Sequence, residues 1–320
     1  MSYTRLVGFG EAMLRLAAPL GGATETTTTF QGTVGGAELN GLIAAARSGM
    51  PGTWVTALPD NPLGDLVQRH ARANAVETWR IPWPTGAPGR LGLYFLEMTA
   101  PPRPSRITYD RAGSAFATLD PRAVPWDDLL GDDSCLYVTG ITPPLGSGPR
   151  DAQEDAIRTA RAVGARVAVD VNYRQTLWSR DECTAWLAAV LPHADIVSAS
   201  ADDLTAVGIA AADPFTEAVD RFGLQAIVAS SKRRVDATVD IGVRVVTPDG
   251  EDRAEARASV VDQIGAGDAM FGTFLATFAR GDVATATQHA LGAAVTCYGL
   301  FGDALVADPW DGSERRGVIR

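Results

Sequence analysis

Apolar residues recur along the chain in two rhythms. Short continuous runs read as buried strands, and between them lie stretches with apolar positions three and four apart. Arg5–Gly8 is a short apolar strand that ends in a Gly-rich turn. Gly35-Gly36 opens a helix whose Leu39, Leu42, Ile43 and Ala46 share a face. Gly49 stops that helix, Thr53–Thr56 returns as a strand, and Pro62–Asn74 reads as another helix. The order β-α-β-α predicts a parallel sheet covered by helices.

The rhythm then changes. Arg90–Glu97 (RLGLYFLE) and Arg106–Asp110 (RITYD) read as strands with no helix between them, and Thr24–Gln31 is rich in β-branched Thr. These pieces predict a small inserted sheet; an edge extension of the main sheet has the same pattern. Alternation resumes with strands at Cys135–Val138, Arg166–Asp170, Ile196–Ser198 and Ala226–Ala229. Helices are expected at Asp151–Val163, Arg180–Val190, Pro214–Phe222, Gly265–Ala279 and Val283–Tyr298, with Asp213 and Pro214 as cap and first position. The polar tail Asp308–Arg320 reads as loosely ordered.

Composition narrows the function classes. The net charge of −10 argues against nucleic-acid and anionic-membrane partners, both of which reward basic surfaces. It leaves a small anionic substrate open, since such a ligand meets only its own pocket. Lys232 is the sole lysine. Cys135, Cys183 and Cys297 are odd in number and far apart, which fits free thiols in a reducing compartment. The isolated histidines His70, His193 and His289 offer no metal cluster or Ser–His–Asp triad. Glu11 and Arg15 interrupt the apolar N-terminal stretch, so it does not read as a signal peptide. No uncharged apolar run reaches the ~18–20 residues of a membrane helix. The expectation is a cytoplasmic protein.

Three segments carry candidate chemistry. In Asp262-Gln263-Ile264-Gly265-Ala266-Gly267-Asp268, two glycines open an apolar helix. Glycine admits a ligand close to the backbone, and a helix N-terminus aims unpaired N–H groups at it. Asp268, one turn in, is placed to accept the proton of an attacking hydroxyl. A Gly turn followed by a helix-favouring Asp gives the same letters. Asp170-Val171-Asn172-Tyr173-Arg174 follows a buried strand, at the edge where open α/β sheets bind ligands. Arg174 can fork onto a carboxylate or phosphate there, or simply sit in solvent. In Gly35-Gly36-Ala37-Glu38-Leu39-Asn40, Asn40 lies one turn into a helix, a mildly unfavourable place that hints at a polar task.

In this order and spacing, these segments resemble the ribokinase-like (PfkB-type) sugar kinases, and most nearly the 2-keto-3-deoxygluconate kinases among them. The similarity runs through Gly10–Leu16, Gly35–Asn40, Ala57–Gly64, Arg90–Glu97, Arg103–Arg111 (RPSRITYDR), Asp170–Arg174, Gly265–Asp268 and Gly302-Asp303. RLGLYFLE and RPSRITYDR are far more selective than GAGD.

The resemblance implies one ribokinase-like domain over residues 1–320. Its fold is α/β, a Rossmann-like three-layer core with a mostly parallel sheet and a small β-sheet lid, contributed by segments near 14–34 and 88–113. It implies ATP and Mg²⁺, Asp268 as general base, and Gly265, Ala266 and Gly267 as the anion hole. Gly35, Gly36, Asn40, Tyr94, Tyr109, Arg111 and Arg174 match positions that line a sugar-acid site. Arg103, Arg106 and Arg111 crowd one short stretch, as a carboxylate-bearing substrate would require. Asn172, Ser200, Ser230, Lys232, Gly265 and Gly267 fall on the nucleotide side.

There the sequence departs from the pattern. Ser198–Asp203 stands in place of an Asn-x-x-Glu motif, so Ser200 and Asp203 substitute at that spacing, with Asp203 toward the metal. Ser230–Arg234 replaces a Gly-rich segment, and Gln263-Ile264 replaces a Thr pair. The expected activity is ATP-dependent phosphorylation of the terminal hydroxyl of 2-keto-3-deoxygluconate. The rivals are a kinase of a neutral ketose such as fructose, a nucleoside kinase, and a sugar-acid sensor that kept the fold. A second copy can pair with free edges of the lid sheet to form a homo-oligomer.

Overall fold

The computed structural model describes residues 3–82, 89–99, 103–235 and 238–310. The expected tail lies outside these residues from 311 onward, as does part of the 88–113 segment.

The first half contains β1 (Arg5–Phe9), β2 (Met13–Ala17), β3 (Gln31–Gly35), α1 (Ala37–Arg47), β4 (Gly52–Thr56), α2 (Pro62–Ala73), β5 (Val76–Arg80), β6 (Leu93–Glu97) and β7 (Arg106–Asp110). Next come α3 (Trp126–Leu129), β8 (Ser134–Thr139), α4 (Ser147–Val163), β9 (Arg166–Asp170), α5 (Arg180–Val190), β10 (Ile196–Ser198), α6 (Ala201–Ala206) and α7 (Pro214–Phe222). The chain closes with β11 (Ala226–Val235), β12 (Thr238–Thr247), β13 (Gly250–Ser259), α8 (Ala266–Phe278) and α9 (Val283–Tyr298).

A large sheet runs in the order β13-β12-β11-β10-β9-β8-β1-β4-β5. From β11 to β5 every pairing is parallel, whereas β12 and β13 add antiparallel. Both faces are covered, so the central strands are apolar throughout rather than alternating. Cys135 and Tyr137 of β8 face one core with Leu42, Trp54 and Phe271, while Leu136 and Val138 face the other with Phe9, Phe116 and Leu187. A second sheet, β3-β2-β6-β7, stands apart. This is the expected α/β architecture with its small sheet.

Two expectations need correcting. Thr24–Gln31 is not a strand; the small sheet is built instead from Met13–Ala17 and Gln31–Gly35. The threonines satisfy themselves locally: the Thr26 and Thr27 amides bond to the Ala23 carbonyl, and the Thr27 hydroxyl donates to the Thr29 carbonyl. Local side-chain bonds compete with a ladder. The other correction is at Ala226–Ala229, which runs on to Val235 and pairs with β12. Ser230–Arg234, expected just beyond that strand in place of a Gly-rich segment, therefore lies within it.

One close approach positions the site. A Cβ on Gly272 of α8 would collide with the Gly41 carbonyl of α1, and a Cβ on Gly41 would press on the Tyr137 ring. The two helices touch backbone to backbone, which sets Asn40 of α1 against Asp268 of α8 one turn away.

Candidate active site

Among the described residues five α-helices begin with a capping side chain, Asn61, Ser179, Ser200, Asp213 or Asp282. The helices α1, α4 and α8 begin instead at Gly36, Gly146 and Gly265, and α3 at Pro125, with no side-chain cap on their first amides. Helix N-termini left uncapped present free N–H groups to whatever binds there. Gly265 has φ +80°, which favours glycine, and the Asp303 carbonyl occupies the space a Cβ would need. Beside it Gly267 opens onto empty space, with nothing within 4 Å of a Cβ position. The turn thus packs tightly on one side and leaves room on the other.

Asp268 lies in the first turn of α8, 8% exposed. Its Oδ2 accepts from Asn40 Nδ2 at 2.9 Å and its Oδ1 from Asn172 Nδ2 at 3.3 Å. Asn172 also donates to Asp170 at 3.3 Å and holds φ +39°, a left-handed conformation that Asn tolerates better than most residues. The Asn40 Oδ1 is buried without a partner. Burial pushes the Asp268 carboxyl up to about 6, while the Asn40 amide and the Arg174 charge pull the other way. Asp170 is pushed up to about 7 by burial and by Asp268. Glu38, 1% exposed, also rises to about 7 through burial, despite bonds from the Thr139 and Thr142 hydroxyls at 2.8 and 2.9 Å.

The other expected substrate residues divide. Arg174 is exposed, forms no ion pair among the described residues, and acts by charge on Asp268 and Asp170. Arg111 is already paired with Glu11, a buried carboxylate that also accepts from Ser114. The Tyr94 hydroxyl is buried and donates to Asp303. Tyr109 stacks near both, its ring 5.9 Å from that of Tyr94 and 5.8 Å from the Arg111 guanidinium. Gly35 and Gly36 press on the Asp303 carboxylate and the Glu11 backbone. Arg103 pairs with Glu97 at 3.0 Å, and Arg106 lies in solvent. The crowded arginines of this stretch are thus not a set of free cations, and the cation beside Asp268 is Arg174.

On the far side, a cleft of about 290 Å³ opens at the carboxyl ends of β9 and β10 beside the middle of β11, lined by Asp170, Asn172, Arg180, Ser200, Asp203 and Ser230 among others. Ser200 and Asp203 form a capping box on α6, and the second oxygen of Asp203 pairs with Arg180 at 2.5 Å. Lys232 does not line this cleft; it borders another across β11–β13 with Arg233, Asp240 and Arg257.

Sequence reasoning missed a buried knot. Arg15, fully buried, pairs with Asp262 and, at 2.8 Å, with Asp303. It also lies 4.8 Å from the centre of the Phe301 ring. The signal was present in Met13-Leu14-Arg15-Leu16-Ala17, where a period of two puts Arg15 on the inward face with Met13 and Ala17.

A doubly covered α/β sheet whose first closing helix presents an uncapped, Gly-lined N-terminus and an oriented carboxylate suits phosphoryl transfer. The chain belongs to the pfkB family of carbohydrate kinases, whose model matches residues 4–305. It is an ATP-dependent sugar kinase. It is 33% identical over 317 residues to a 2-dehydro-3-deoxygalactonokinase of Haloferax volcanii, covering 95% of this chain and 94% of that one. It is 29% identical to a 2-dehydro-3-deoxygluconokinase of Thermoproteus tenax, covering 93% and 89%. Among solved structures, the 2-dehydro-3-deoxygluconokinase of Thermotoga maritima superposes with TM-score 0.88 at 28% identity, covering 95% of each chain.

Proposed function

We propose that the protein transfers the γ-phosphoryl group of ATP to the terminal hydroxyl of a 2-keto-3-deoxy sugar acid of the gluconate or galactonate series, giving the 6-phosphate. The observation that carries this reading is Asp268, a buried carboxylate oriented by two asparagine amides at an uncapped helix N-terminus, with the unpaired Arg174 charge beside it. The names of the relatives above support the substrate class.

In this reading the sugar hydroxyl gives its proton to Asp268 as its oxygen bonds to the γ-phosphorus, and the bond to the bridging oxygen breaks to release ADP. A carboxyl near 6 is ionised at neutral pH yet more basic than an exposed aspartate. Asn40 and Asn172 fix its two oxygens, so the base does not have to be oriented during the reaction. The Gly265–Asp268 amides receive the charge of the transferring group. Arg174 holds the substrate carboxylate, with Tyr109 and Arg111 shaping the wall opposite and the small sheet closing over the sugar as a lid. Asn172, Ser200 and Ser230 line the nucleotide cleft, and Lys232 reaches the nucleotide only from its margin.

Magnesium, when bound with ATP, neutralises charge on the phosphates. Among the described residues no group of three or more acidic, His or Cys side chains forms a metal cluster, and both oxygens of Asp203 are engaged. The cleft therefore suits a metal held chiefly by phosphates and water, with Asp170 and Asp203 bordering its water shell. The reading is of a cytoplasmic enzyme that meets a second copy through the open edges β3 and β7.

The test is ADP release against the two 2-keto-3-deoxy acids, 5-keto-2-deoxygluconate, fructose, ribose and adenosine. Turnover of a 2-keto-3-deoxy acid well above the rest is expected. Equal use of fructose would show that no carboxylate is read, and the neutral-ketose reading would replace this one.

A further inference from the structure

The anion hole has no side-chain cap of its own, so something else must hold its turn. The turn's two walls are Asp262 and the segment Phe301–Asp303. Asp262 Oδ1 accepts from the Ile264 amide at 3.1 Å, and its Oδ2 accepts from the Gly302 amide at 3.3 Å. The Asp303 carbonyl packs where a Cβ of Gly265 would stand, and its carboxylate lies against Gly35 at the end of β3. Both carboxylates, 2% and 4% exposed, converge on Arg15. That arginine comes from a different layer: β2 is an interior strand of the small sheet, between β3 and β6. Tyr94 of β6 donates to Asp303 as well, so two neighbouring strands of that sheet grip the same carboxylate.

The arrangement is not the usual packing of a buried arginine. Its two terminal nitrogens are spent on two carboxylates from separate segments, and its Nε is buried with no acceptor at all. A guanidinium fork on one carboxylate is the stronger local contact. Bridging instead ties three segments together, and removing the cation leaves two buried carboxylates facing each other.

We propose that Arg15 is a positioning residue for phosphoryl transfer: from the small sheet it fixes the turn that aims the Gly265–Asp268 amides, so that seating of this sheet and alignment of the anion hole are one event. This rests on the reading of Gly265–Asp268 as the anion hole. Arg15 itself touches neither substrate nor nucleotide in this scheme, so its loss falls on kcat, and the sugar-acid KM changes little.

The experiment compares wild type, Arg15→Ala and Arg15→Lys for kcat, both KM values and thermal melting, with Asp268→Asn alongside. A displaced turn should lower kcat of the Ala variant by ~10²-fold. Lys, which supplies the charge with shorter reach, should fall between. Millimolar guanidinium chloride should raise kcat of the Ala variant several-fold and leave wild type unchanged. A folded Ala variant with wild-type kcat overturns the proposal. So does guanidinium that restores the melting temperature and not kcat, because Arg15 would then only hold the fold. If the Ala variant does not fold, the Lys variant decides: lowered kcat at unchanged KM supports the proposal, and unchanged kcat overturns it. Wild-type kcat in Asp268→Asn would instead strike the reading of Asp268 as the base, and with it the placement of phosphoryl transfer at this turn on which the proposal rests.

Discussion

The two banks of the proposed site are built on opposite principles. On the acceptor bank almost every charge is already matched: Arg15 with Asp262 and Asp303, Arg111 with Glu11, Tyr94 with Asp303, Asp268 with two asparagines. On the nucleotide bank Ser200 and Asp203 serve a short helix and Asp203 pairs with a partly exposed Arg180, while Arg174, whose charge reaches both Asp268 and Asp170, has no ionic partner among the described residues. A base that must meet one hydroxyl benefits from groups locked before substrate arrives. A cleft that takes a flexible, multiply charged donor needs charges still free to move onto it.

Asp268→Asn attacks the contrast where it is sharpest. It should leave folding intact and lower kcat by ~10²–10⁴-fold, the worth of a positioned base. In wild type, kcat/KM should fall as pH drops through about 6, because protonated Asp268 cannot accept the hydroxyl proton. A rate profile flat between pH 5 and 8 by ADP release would remove Asp268 from the proton path.

Arg111→Ala separates holding from binding. Its partner Glu11 has a side chain only 3% exposed, and breaking a buried pair from one side costs about 3–5 kcal/mol of stability. Thermal melting should therefore fall strongly, and Glu11→Gln in the same chain should recover much of the loss. Unchanged melting with a raised KM for the acid alone would mean that Arg111 leaves Glu11 for the substrate.

Arg174→Ala should behave in the reverse way. An exposed, unpaired arginine costs little to remove, so melting should hold. Loss of one charge-assisted bond to the acid is worth ~1.5–3 kcal/mol, or ~10–150-fold in kcat/KM. Equal losses for the acid and for an analogue with its carboxylate reduced would show that Arg174 serves the phosphates instead.

The smallest effect is expected at Asp203. Removing its capping role should cost about 0.5–2 kcal/mol. A modest rise in the Mg²⁺ needed at fixed ATP would add the metal's water shell to its tasks; superimposable titrations would leave it the cap and the pair with Arg180.

The parallel core was legible because strands buried on both faces write themselves as unbroken apolar runs, as in Ser134–Thr139. The strand Gly250–Ser259 was not, since it buries only Ala254 and Ala258 among charged neighbours. Val76–Arg80 escaped notice for a similar reason, as an edge strand with one buried position. At the site, Asp268 and Asn40 could be read from local letters because each stands where a helix ordinarily avoids or exploits its type. Whether a given arginine was free could not be read, because its partner lies far along the chain: Arg111 and Glu11 are 100 residues apart, and Arg15 and Asp303 are 288. Charge crowding in sequence says nothing about pairing in space.

The contact between Gly41 and Gly272 has a consequence for how this chain can drift. Side-chain layers between helices act as adjustable shims: when one residue changes, rotamers and spacing shift to suit. Here α1 and α8 meet with no such layer beneath Asn40 and Asp268. The gauge between Asn40 and Asp268 is therefore cut in backbone, out of reach of repacking nearby. Substitutions at Leu42 or Phe274 can wear down the core while leaving that gauge true, whereas a single methyl on Gly272 would throw it off at once.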